Sequence, residues 1–139
     1  MGVKGFYTQC VQMPWIQCPL NHYIAAKLAW NADLDVDWLI DDFCENFFED
    51  AASPMKHYLL GLEAAFVRNN QCISTGLRDG QPGVLGPKIF DGPTRDQLRA
   101  WLDEADQRAD SDAVRGRIGA IRGGFNECEQ AVLKMMKTK

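Results

Sequence analysis

The sequence predicts a mainly α-helical domain of about five helices in a bundle or hairpin arrangement, preceded by one short orphan β-strand. Three observations carry that expectation. Apolar residues recur at spacings of three and four over most of the chain, as on one face of a helix. Only one stretch, VKGFYTQCV, reads as a strand. The chain has 139 residues, 46% of them hydrophobic and 24% charged, which suits one domain with a real core.

The orphan strand comes first. Val3–Val11 is aromatic and partly β-branched, with Gly2 and Gly5 beside it. A lone strand has nothing to pair with, so it either joins a sheet built elsewhere or serves as an extended arm. The first helix should start near Pro19, where a missing N–H costs nothing, and run to about Asn31 with Leu20, Tyr23, Ile24, Leu28 and Trp30. The second is the clearest: Asp35 is a natural N-cap, and Val36, Leu39, Ile40, Phe43, Cys44 and Phe47 form the stripe. The third should be capped by Asp50, tolerate Pro54 in its first turn, and carry Met55, Leu59, Leu62 and Phe66 towards Arg68.

A connection over 69–92 follows, with five glycines, two prolines and an extended piece expected at Lys88–Phe90. Thr94 and Gln97 have the form of a capping box for a fourth helix with Leu98, Trp101, Leu102 and Ala105 on its buried side. The fifth carries Val114, Ile118, Ile121, Phe125, Cys128, Val132 and Met135 in alternating steps of four and three. It should fold back on the fourth as an antiparallel hairpin, with Gly116, Gly119, Gly123 and Gly124 allowing a close approach.

Charge and motif content narrow the functions. The net charge of −4 argues against nucleic acid as the main partner. No apolar run approaches the 18 or so residues of a membrane span. The opening MGVKGFYTQC lacks the basic and apolar regions of a signal peptide. Eight acids and no Lys or Arg lie between Asp33 and Asp50. A calcium loop beginning at Asp33 would place Trp38 where glycine must turn and Cys44 where a bidentate carboxylate must bind, so a capped helix with a solvated acidic face is expected instead. Arg115 and Arg122 read as a solvated flank that could pair with that face. Cys10, Cys18, Cys44, Cys72 and Cys128 form no C-x-x-C pair, which disfavours zinc and a disulfide framework; Cys44 and Cys128 fall in phase with the core. His22 and His57 sit in no metal or triad motif. No cofactor or metal is expected. Tyr7, Gln9 and Trp15 are the candidate substrate-binding residues, because an aromatic ring stacks on the apolar face of a pyranose while an amide hydrogen-bonds its hydroxyls.

GVKGFYTQ, LNHYIAAKLAWNADLDVDWLIDDFCENFF and AASPMKHYLLGLE together resemble the C-terminal part of large bacterial glycoside-hydrolase-like proteins. That family carries a domain of unknown function with a TIM barrel similar to those of α-glucuronidases and family 20 hexosaminidases, and its members are often exported. The resemblance covers roughly residues 1–66 and returns loosely in the final hairpin. It implies that residues 1–18 are a last barrel strand and its connection, with Tyr7 and Gln9 at the strand end that faces a barrel's active site. Residues 19–139 would be a helical C-terminal domain. The family's catalytic carboxylates would lie on earlier strands, so no catalytic residue is carried over, and the chain alone should lack hydrolase activity. Its expected role is to support the barrel and to form one wall of its sugar cleft, as a fragment or split reading frame. Carbohydrate would then be bound only with the full barrel. Where this chain has Phe48-Glu49-Asp50, the family commonly has Tyr-Gly before Ala-Ala. The alternative is a free-standing helical module that binds a protein partner, with its N-terminal arm added to that partner's sheet edge.

Overall fold

The computed structural model describes residues 19–68 and 86–137. Within them lie α1 (Pro19–Trp30), α2 (Val36–Phe48), a 3₁₀ turn (Glu49–Ala51), α3 (Ala52–Arg68), a single-turn α4 (Gly86–Ile89), α5 (Gly92–Arg108) and α6 (Asp112–Lys137). The fold is mainly α, with five helices longer than one turn, and the described residues contain no strand. The orphan strand expected at Val3–Val11 lies outside the described residues.

α2 forms as its pattern dictates. The Asp35 carboxylate accepts the N–H of Trp38 at 2.8 Å, which satisfies one of the donors every helix start leaves open. Leu39, Ile40, Phe43 and Cys44 are buried, and so is Phe48 at the end of the helix, which the stripe did not include. Phe43, Phe47 and Phe48 cluster with ring centroids 4.9 to 5.8 Å apart. Val36 departs from the expectation and is 44% exposed.

The passage from α2 to α3 is tighter than expected. Asp50 caps nothing; it lies inside the 3₁₀ turn, which runs directly into α3. To make that turn, Glu49 takes φ 49° and ψ −121°, the one positive φ outside glycine among the described residues. This conformation suits glycine, because a Cβ crowds the backbone there. Pro54 is the third residue of α3, where its missing N–H costs nothing, and it is buried. The buried side of α3 is Met55, Tyr58 and Ala65, whereas Phe66 is 38% exposed and meets Phe90 edge-on at 5.9 Å.

Two further corrections concern the second half. Residues 86–89 form a helical turn, not an extended piece, and this turn seats Ile89 and Phe90 in the core. α5 is capped by Asp91, whose carboxylate accepts the Thr94 N–H at 2.9 Å, so Thr94 lies inside the helix. Pro93 fits beside this cap because a residue in the first turn needs no N–H.

α5 and α6 form the expected antiparallel hairpin, joined by ion pairs in descending register. Arg122 of α6 reaches Asp103 at 2.8 Å and Asp106 at 2.6 Å, while Arg95 and Arg99 of α5 converge on Glu129. Three of the four glycines do not explain this packing: a Cβ at Gly116, Gly119 or Gly123 would meet nothing within 4 Å. The close approach is on α3, where a Cβ at Gly61 would lie 2.3 Å from the Trp101 ring of α5. α5 therefore packs on α3 as well as on α6. Val114, Ile118, Ile121, Phe125 and Val132 bury the α6 seam, and Tyr58 meets Phe125 edge-on at 6.3 Å.

Candidate functional site

The substrate-binding residues expected from the sequence, Tyr7, Gln9 and Trp15, lie outside the described residues. What the structure displays is an unusual apolar surface at one end of the α1–α2 pair. Trp30, the last residue of α1, is 94% exposed, and Trp38, in the first turn of α2, is 54% exposed. With Val36 they flank the turn at 31–35. This surface has a local origin. Asp35 starts α2 so that Leu39, Ile40, Phe43 and Cys44 face the core, and helical geometry then turns Trp38 roughly 100° away from Leu39. α1 buries only Pro19, with Leu20, Tyr23 and Ile24 half-covered, so Trp30 has no core to enter.

Further along the same pair, a groove of 470 Å³ runs between the helices, lined by Pro19, His22, Tyr23, Phe43, Asn46 and Phe47 among others. The Tyr23 hydroxyl donates to Asp42, and Tyr23 meets Phe43 at 5.3 Å, which fixes the groove wall. The hydrogen bond to Asp42 raises the Tyr23 pKa above 10.0, because ionisation would put two anions side by side. Lys27 stands 5.1 Å from the Tyr23 ring.

The acids sort into structural tasks. Asp35 caps α2, Asp41 pairs with Lys56 and Asp42 accepts from Tyr23. Asp33, Asp35 and Asp37 remain exposed around the two tryptophans. Among the described residues no three His, Cys, Asp or Glu side chains come together in a group that could hold a metal ion. Arg122 pairs with α5, not with the acidic helix; it is Arg117 that crosses to α2, donating to the Phe47 carbonyl at 2.8 Å and lying over the Phe47 ring. Burial raises the Cys44 thiol to about 11 and also raises that of Cys128, so both are held as poor nucleophiles. His22 and His57 are exposed, and His57 stacks on Trp101.

The exposed tryptophans were not singled out from the sequence. The signal was available in Trp38, which stands off the apolar stripe of the most regular helix in the chain.

Comparison with known proteins places this surface inside a recognised stretch. The model of a family described as a domain of unknown function (DUF4838) matches residues 1–60, which takes in α1, α2 and the first half of α3. No curated protein and no solved structure matches the chain. No described helix is long and apolar enough to cross a membrane.

Proposed function

We propose that this chain is the C-terminal helical segment of a carbohydrate-active, glycoside-hydrolase-like TIM-barrel protein, which it supports by docking through the α1–α2 end. In this role it is not catalytic alone; it covers the barrel's side and completes one wall of the sugar cleft through Tyr7, Gln9 and Trp15. The observation that carries the reading is the exposure of Trp30 and Trp38 within the matched residues 1–60. Two large aromatics left in water at one end of a helix pair are what an interface anchor looks like before its partner is in place. The exposed Asp33, Asp35 and Asp37 around them call for a partner surface with apolar pockets and a basic rim.

The test is sedimentation velocity on the chain mixed with the barrel of a family protein that ends before the equivalent of residue 1, so that the chain supplies the last strand. A one-to-one complex that is lost in Trp30→Ser/Trp38→Ser supports the reading. Two independently sedimenting species reject it. The alternative, a free-standing helical module, draws on the same surface. It is favoured if the chain ignores the barrel yet binds a protein of another fold through those tryptophans.

A further inference from the structure

A second feature, whose lining lies wholly outside the matched residues 1–60, has the chemistry of a small binding site. Between the C-terminal half of α3 and the first half of α5 lies a hollow of 280 Å³. Its floor is apolar, formed by Ala64, Ala65, Leu98 and the half-buried Trp101 ring. Gly61 brings α3 so close to that ring that no other residue fits without displacing it, and His57 stacks on the indole at 5.9 Å with 29° between planes. The indole is thus held in one place.

Polar groups stand at the rim. Arg68 donates to the Thr94 hydroxyl at 2.8 Å, and Thr94 in turn hydrogen-bonds Asp91, which together with the backbone N–H of Thr94 holds that carboxylate below 3.8. The guanidinium has five N–H donors, most of them unused by this contact. Gln97 lies one turn before Trp101 on the same side of α5, and its amide makes no hydrogen bond to the described residues.

We propose that this hollow binds one pyranose ring of a neutral glycan. Trp101 is the stacking plate, and Gln97 and Arg68 hydrogen-bond the ring hydroxyls. An apolar plate with a few fixed polar groups matches a sugar ring, whose faces are C–H surfaces and whose edge is hydroxyls. The volume fits one small ring; it lies below the roughly 300–1,000 Å³ typical of clefts for larger ligands. Neutrality follows from the two opposite charges at the rim: a sugar carboxylate attracted to Arg68 would be repelled by Asp91.

The test is a ¹⁵N NMR titration of the full chain with cello-, xylo-, manno- and chito-oligosaccharides, and with a uronic-acid oligosaccharide. The indole N–H of Trp101 is assigned by Trp101→Phe. The expected result is a saturable shift of the Trp101 indole and the Gln97 amide with at least one neutral glycan and no tighter binding of the uronic acid. Gln97→Ala, at an exposed position, should weaken binding about five- to tenfold, the loss of one net hydrogen bond, with an unchanged melting curve. No shift with any neutral glycan, shifts at Trp30 or Trp38 instead, or equal affinity in Gln97→Ala would overturn the proposal. The isolated chain suffices for this titration, so docking to a barrel can fail or hold independently of it.

Discussion

Gly61→Ala isolates the contact that joins the two halves of the domain. A Cβ added at Gly61 would lie 2.3 Å from Cζ3, 2.9 Å from Cη2 and 3.3 Å from Cε3 of Trp101. Two of these are closer than carbon atoms approach, so the indole or the α3–α5 spacing must give by about 1 Å. The indole could yield only into the hollow it lines, which would give up its stack on His57 and its place beside the buried Leu98 and Leu102. Overpacking of this kind costs about 1–3 kcal/mol. Against it, replacing glycine by alanine inside a helix gains about 0.5–1 kcal/mol. The net expectation is a loss of about 1 kcal/mol, or a fall of about 3–5 °C in melting temperature for a domain of this size. Gly119→Ala is the matched control. Its Cβ meets nothing within 4 Å, so it should gain the about 0.5–1 kcal/mol of helix propensity without penalty. Urea unfolding followed by circular dichroism at 222 nm separates the two. If Gly61→Ala is stabilised as much as Gly119→Ala, Trp101 does not pack on α3 and the reasoning fails.

The same measurement addresses the turn after α2. Glu49→Gly should stabilise by about 1 kcal/mol, since relief of about 1–3 kcal/mol of backbone strain exceeds the added unfolded-chain entropy, and the ion pair lost among the described residues is a 4.0 Å contact with Arg117; a loss of stability would refute strain at this turn. Asp35→Ala should cost about 1 kcal/mol through the lost cap on α2, and Asp35→Asn should restore most of it, both read by the urea midpoint. Asp91 has a folded pKa below its ordinary 3.8, so its contribution is complete above that value and drains as pH falls through the lower folded value. Melting temperatures between about pH 2 and 6 should therefore fall less steeply in Asp91→Asn than in the wild type; parallel curves would contradict the cap.

How much was legible depended on whether the determinant was local. Asp35 and the stripe behind it are local, and α2 came out with its predicted cap. The α6 seam is local too, since spacing of four and three needs no knowledge of the partner helix. The cap of α5 was placed three residues late because Thr94 and Gln97 imitate a capping box, while Asp91, at the right distance before Pro93, makes the bond. Glycine roles were not legible. Sequence marks Gly116, Gly119 and Gly123 in α6 and Gly61 in α3 alike, and only the path of α5 decides that Gly61, and none of those three, is in close contact. The apolar stripe of α3 was legible in part for a similar reason: Met55 is buried and Leu59 and Leu62 pack half-buried against the core, but Tyr58 and Ala65 are drawn inward by Phe125 and α5, leaving Phe66 at the edge. Trp30 and Trp38 could have been read as surface residues from helical phase, but their shared end of the molecule depends on the turn at 31–35.

The docking role of that end is the central claim. Trp30→Ser/Trp38→Ser should leave the stability of the isolated chain within about 0.5 kcal/mol, since both side chains are exposed. Sedimentation of the chain with a family barrel then decides. The account predicts a one-to-one complex with the wild type that the double variant does not form. A complex formed equally well by both, or by neither, would contradict it.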